Sequence, residues 1–202
     1  MTLVRRLVLS MLMLALAPVS ALAGSPPAVT AADRFVGRAD APVTVIEYAS
    51  FACSHCADWH QVVYPEFKRR FIDTGQVRLV FRNLPTAPAE IALPAAALAH
   101  CAAPERFYDV AGTLMHGQRA VLSGGDRTVW FDSAVAVSGR TRAQIDTCVA
   151  LPATRAAIEA DIDGAIAAGV DSTPTLFVNG RQVADRSFGG LSALITPLVA
   201  AH

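Results

Sequence analysis

Two cysteines three residues apart, Cys53 and Cys56, stand in the stretch FACSHCADWH from Phe51 to His60. Such a pair can be a redox catalyst, half of a zinc site or a structural staple. A thiolate attacks disulfides and a thiol hardly does, and an ordinary cysteine with a pKa of ~8.5 is mostly protonated at neutral pH. A catalytic cysteine therefore needs its thiolate stabilised. The β-branched run VTVIEYA before the pair and the helical spacing of apolar residues after it put Cys53 where a strand ends and a helix begins. Unsatisfied backbone N–H groups and the positive end of the helix dipole would then face its sulfur. Cys56, one turn further on, is shielded and near enough to close a ring with Cys53. His55, between them, can donate a hydrogen bond or positive charge to the Cys53 thiolate. All three effects favour the reduced, thiolate-bearing form, and a stabilised reduced form makes the disulfide a stronger oxidant.

The rival chemistries make different demands. A tetrahedral zinc site needs a second ligand pair, and His60, four residues after Cys56, is the obvious third ligand. The remaining cysteines, Cys101 and Cys148, lack CxxC spacing, and the sequence holds no other Cys/His cluster. The expectation is accordingly redox catalysis with no metal and no cofactor, a static disulfide being the bland alternative. Glu47 lies six residues before Cys53 on the strand expected to be buried. A buried carboxylate there can exchange a proton with the inner cysteine, whereas an edge glutamate would simply face water. Thr173-Pro174-Thr175 precedes another apolar run. A proline there has no ladder donor and marks an edge or an unusual peptide bond. If cis, it would hold the Thr173 backbone open to an extended peptide; if trans, it merely starts a strand.

These groups need elements to hold them. Val43–Ala49 reads as a buried strand, and the segment after the cysteines as a helix broken near Pro65 and stopped at Gly75. Val77–Asn83 is a second strand, which completes a βαβ unit. From about residue 88 to 168 the chain is alanine-rich and helical, with breaks expected near Pro94, Pro104, Gly124-Gly125, Gly139 and Pro152. TPTLFVNGRQVA places two short apolar runs around Asn179-Gly180, a type I′ hairpin signal. Gly189-Gly190 is expected to end the sheet, and LSALITPLVAA to form a closing helix.

Residues 1–23 read as a signal peptide: Arg5 and Arg6, an apolar core too short to span a bilayer, and small residues up to a cut after Ala23. Residues 24–42 form a small, proline-rich leader with room for a short helix or an edge strand, and residues 43–202 the folded domain. With 17 basic and 17 acidic residues in the whole chain, nothing suggests nucleic-acid binding or a basic membrane-binding face. Export makes paired cysteines the rule, and the simplest pairing is Cys53–Cys56 with Cys101–Cys148. The second bridge would tie the start of the helical segment to its end, contributing up to about 4 kcal/mol on a chain-entropy model.

EYASFACSHCADWH, followed more than a hundred residues later by STPTLFVNG, resembles the DsbA-like thiol:disulfide oxidoreductases of the thioredoxin superfamily. The resemblance covers nearly all of the chain after residue 23. It implies an α/β thioredoxin fold, a mixed central sheet flanked by helices, with an inserted all-helical subdomain. It further implies that Cys53 is the exposed nucleophile, Cys56 the resolving cysteine, Pro174 a cis-proline facing them and Glu47 the family's buried glutamate. Ser54 stands where the best-known pattern, Cys-Pro-His-Cys, has proline, and Thr173 where the best-known oxidase has valine. Both touch the sulfur and the substrate path.

The expected function is that of a periplasmic dithiol oxidase, monomeric and not membrane-embedded. It would pass the Cys53–Cys56 disulfide to reduced exported proteins, and the resemblance implies reoxidation by a membrane quinone-linked partner. One rival is a monomeric reductase or isomerase, although only residues 24–42 precede the first expected strand, where isomerase relatives carry a long dimerising domain. A second is a non-enzymatic peptide-binding chaperone using Phe51, Trp59 and Pro174, which leaves the CxxC unexplained.

Overall fold

The computed structural model describes residues 24–201; the expected signal peptide and its cut lie outside them. Five strands form one sheet in the order β1-β3-β2-β4-β5. The strands are β1 (Arg34–Val36), β2 (Val43–Ala49), β3 (Val77–Asn83), β4 (Thr175–Val178) and β5 (Arg181–Gln182). The central pair β2 and β3 is parallel, and every other neighbour is antiparallel. A parallel pair covered on both faces needs apolar residues at nearly every position, and Val43, Val45, Ile46, Tyr48 and Ala49 of β2 are all buried. The sheet begins inside the leader, because β1 supplies its outer edge on β3. At the opposite edge, Asn179 (φ 46°) and Gly180 (φ 81°) make the expected tight turn of the β4–β5 hairpin.

Helix α1 (Ser54–Val62) follows β2 directly. It gives way to α2 (Tyr64–Phe67), with Pro65 in the first turn where its missing N–H is harmless. A single π-helical stretch, Lys68–Ile72, leads to Gly75, whose φ of 75° ends the run as expected. The all-helical insertion runs through α3 (Ala89–His100), α4 (Phe107–Leu122), α5 (Arg127–Val137), α6 (Arg142–Val149) and α7 (Pro152–Ala167), and α8 (Phe188–Ala200) closes the chain. Two expected breaks are absent. Pro94 lies inside α3, where the Glu90 carbonyl that its ring deprives of a partner lies 3.5 Å from the Arg127 guanidinium. Gly189-Gly190 lie in the first turn of α8, behind the Ser187 cap, whose Oγ accepts from Gly190 N.

The insertion packs closely because its contacts are small. Ala92, Ala95, Ala96 and Ala99 of α3 are buried, and a Cβ on Gly117 would meet the Trp130 indole at 2.4 Å. The Trp130 indole N–H donates to the Leu114 carbonyl at 3.0 Å, tying α5 to α4. Of the two expected disulfides, Cys101–Cys148 is present and joins the C-cap of α3 to α6. Cys53 and Cys56 are both free thiols, so the site is in its dithiol state. The leader is clamped by Arg82 of β3. Its guanidinium donates to the Pro27 and Ala28 carbonyls and the Tyr48 hydroxyl, and pairs with Asp33 at 2.8 Å, both side chains being buried. Among the described residues no helix is long and apolar enough to cross a membrane.

Candidate active site

The turn from β2 into α1 is built around Ser50. Its buried hydroxyl accepts from the N–H of Ala52 and of Thr86 and bonds the Thr86 hydroxyl at 3.0 Å. Cys53 follows as the N-cap of α1. Its Sγ accepts from the Cys56 N–H at 3.3 Å, the part usually taken by a serine or aspartate oxygen. The first turn of α1 holds no acidic residue, so the positive end of the dipole is not neutralised. Gln118 of α4 reaches over from the insertion, and its Nε2 donates to the carbonyls of Phe51 (2.6 Å) and Cys53 (3.0 Å). A lone glutamine in a helical run gave no sequence signal for this role.

The two thiols are pushed apart. The Cys53 thiol is lowered to about 5. The main cause is the hydrogen bond from the Cys56 side chain; partial burial opposes it, and the Thr173 side chain and the backbone N–H groups of Cys56 and His55 assist. Cys56 is fully buried, and its thiol is pushed far up, first by burial and then by sharing the site with Cys53 and the charge of Glu47. Thr173 acts on Cys53 in two opposed ways. Its carbonyl, 3.3 Å from Sγ, accepts from the thiol, whereas its side chain steadies the thiolate. The Thr173-Pro174 bond is cis.

Ser54 and His55 are exposed on the first turn of α1. His55 lowers the Cys53 thiol through its backbone N–H; the imidazole contribution expected from the sequence is not among the causes. Beside the cysteines a shallow groove is lined by His55, Trp59, Val62, Pro174, Arg186 and Ser187. The Trp59 indole N–H donates to the Arg186 carbonyl at 3.0 Å, and the Arg186 guanidinium donates to the Pro174 carbonyl. Phe51 and Trp59 are buried, Phe51 stacked on Phe81 at 5.3 Å; neither belongs to an exposed docking patch.

Glu47 is fully buried in β2, in register with Phe81 of β3 and Leu176 of β4. Its partner is His60, whose Nε2 lies 3.2 and 3.1 Å from the two carboxylate oxygens. The zinc reading used His60 as a third ligand; in the fold that nitrogen is engaged by Glu47. The sequence placed both residues near the cysteines but gave no reason to pair them, because strand and helix meet only in three dimensions.

A family model described as Thioredoxin matches residues 30–196. The chain is 28% identical over 168 residues to the "Putative protein-disulfide oxidoreductase" of Rickettsia bellii (strain RML369-C), spanning 81% of this chain and 63% of that protein. It is 34% identical over 157 residues to part of the "Na(+)/H(+) antiporter NhaA" of Nitrosospira multiformis, 77% of this chain and 24% of that protein. The chain thus spans less than two thirds of the length of either relative. Among solved structures, alpha-DsbA1 of Wolbachia pipientis superposes with a TM-score of 0.75 at 24% identity, over 86% of this chain and 94% of that one. Oxidised BdbD from Bacillus subtilis gives 0.74 at 20% identity, over 89% and 98%. At these identities the likeness speaks for the fold.

Proposed function

Since the chain belongs to the DsbA-like branch of the thioredoxin family of disulfide oxidoreductases, we propose that it is a dithiol oxidase that acts in the periplasm on reduced exported proteins. In its disulfide form, a substrate thiolate attacks Cys53 Sγ and the Cys53–Cys56 bond breaks, leaving a substrate–Cys53 mixed disulfide and Cys56 reduced. The substrate's second thiolate then attacks its own mixed-disulfide sulfur. It leaves with the disulfide, and Cys53 is released as a thiolate. A membrane quinone-linked partner takes the two electrons and restores the enzyme's disulfide.

The observation that carries this direction is the lowered Cys53 thiol, at about 5. A low-pKa thiolate is a good leaving group in the second step, and its stability favours the reduced enzyme, so the disulfide is readily given away. The test is the equilibrium reduction potential of Cys53–Cys56 against glutathione, with Cys101–Cys148 intact. A value near about −120 mV supports the oxidase, and one near about −270 mV makes the protein a reductase. Cys53→Ser separates both from a chaperone, since a chaperone keeps its activity without the thiol.

A further inference from the structure

Attack on the disulfide releases a negative charge onto Cys56, inside the protein. The Cys56 sulfur is fully buried and its thiol is strongly disposed to keep its proton, so a proton has to arrive as the bond breaks. Helix α1 leaves no solvent at that sulfur to supply one. The buried group of opposite disposition is the Glu47–His60 pair, whose side chains are 0% and 1% exposed. A lone carboxylate at such a site would be costly. Carboxylate with imidazolium, or carboxylic acid with imidazole, is net neutral, and in either arrangement one proton lies in the hydrogen bond between the two side chains.

The walls around the pair are dry. The His60 ring packs on Trp59 (5.3 Å between centroids), Tyr64 (5.2 Å) and Phe81 (6.2 Å). The titratable groups that face it are Cys56 of α1, Tyr64 of α2 and Tyr108 of α4; β3 and β4 offer Phe81 and Leu176, which do not titrate. Both tyrosines are pushed up by burial first and by the Glu47 charge among lesser causes, so they keep their protons. The Tyr108 hydroxyl is already committed to the Leu79 carbonyl at 2.8 Å. Cys56 is thus the group with which the pair can trade its proton.

We propose that Glu47 and His60 form one proton-holding unit for the buried cysteine, with His60 as the residue that positions and loads Glu47. The inference rests on the thiol:disulfide exchange proposed above. As the substrate thiolate bonds to Cys53 and the Cys53–Cys56 bond breaks, the electron pair goes to Cys56 Sγ, which takes the proton held by the pair. Cys56 becomes a neutral thiol, and the pair is left as carboxylate and neutral imidazole until water reprotonates it. Reoxidation runs the same proton back.

The experiment mixes the oxidised protein with glutathione in a stopped-flow instrument, from pH 4 to 9, and expresses each rate per glutathione thiolate. The wild-type rate should hold steady while the pair is loaded and fall through one inflection at higher pH. In His60→Gln, which still offers Glu47 an N–H donor but no transferable proton, the inflection should vanish and the low-pH rate drop about tenfold; Glu47→Gln should drop it by up to about 10². A His60→Gln protein that keeps the wild-type inflection overturns the proposal. Because buried substitutions can prevent folding, the ring ¹⁵N signals of His60 in the wild-type protein give a second reading. They should differ between the disulfide and dithiol states, and identical signals in both states across the pH range also overturn it. A wild-type protein that shows no exchange with glutathione sinks the oxidoreductase reading as well; loss of the His60 effect alone sinks only the proton unit.

Discussion

The sharpest consequence of the site is that the potential of Cys53–Cys56 should change its dependence on pH near the point where Cys53 ionises. That thiol sits at about 5 against ~8.5 for an ordinary cysteine. At pH 7 the thiolate then outnumbers the thiol by about a hundredfold, which stabilises the dithiol by about 2.7 kcal/mol. The sulfur is only partly buried, and solvent screening brings a realistic figure nearer 2 kcal/mol. At about 30 mV per 1.4 kcal/mol this raises the potential by about 40 mV over a site with an unperturbed cysteine. The folded value lies below the unfolded one. The thiolate therefore stabilises the folded dithiol in full above about pH 8.5, and that contribution is lost as the pH falls through about 5. The assay is equilibration with a glutathione buffer from pH 4 to 8, beside a thiolate absorbance titration of the reduced protein. The potential should fall by about 60 mV per pH unit below the break, where two protons accompany two electrons, and by about 30 mV above it. A two-proton slope that continues through pH 7, with no thiolate absorbance until pH 8, would refute the account of how the α1 N-terminus, Cys56 and Thr173 hold the charge.

Three further outcomes follow from other contacts. Thr173→Val removes the side-chain bond to the thiolate but keeps the carbonyl that favours the thiol. Cys53 should titrate about one unit higher and the potential drop by about 30 mV, both measurable by the same titrations. Asp161, pushed up to about 6 by burial, accepts from the backbone and side-chain N–H groups of Asn83. Its folded value lies above the unfolded one, so a stability penalty grows as the pH rises from about 4 to 6. Asp161→Asn should therefore stabilise the protein by about 2 kcal/mol at pH 7 and by little at pH 4, as read by urea unfolding. Arg82→Met leaves Asp33 buried without its partner and frees the Pro27 and Ala28 carbonyls. Unfolding stability should fall by about 3 to 5 kcal/mol, and limited proteolysis should cut first within residues 24–33.

The most legible parts of the chain were those whose causes are local. Asn179-Gly180 announces a turn with two positive φ angles, VTVIEYA a strand covered on both faces, and Pro65 and Gly75 the interruption and end of the helical run. Each depends on residues within a few positions of one another. Pro94 and Gly189-Gly190 misled for the same reason. A proline is tolerated inside α3 because Arg127, 33 positions further along the chain, approaches the carbonyl it orphans, and a glycine pair is tolerated in α8 because Ser187 caps the helix ahead of it. In each case a contact outside the immediate run overrode the local preference.

The site divides along the same line. Cysteine spacing and the strand-to-helix junction were enough to identify Cys53 as the sulfur at a helix N-terminus and Cys56 as the one a turn inside, since both statements concern consecutive residues. The tertiary structure alone decided which charge and which donors surround them. Thr173 meets Cys53 from 120 positions away, Gln118 holds the Phe51 and Cys53 carbonyls from another helix, and His60 meets Glu47 only because α1 packs across β2. The Cys53 side chain is three atoms from the backbone that the sequence describes, but its proton affinity is a sum over everything within a few ångströms. That sum is a property of packing, and packing appears only when the chain is folded.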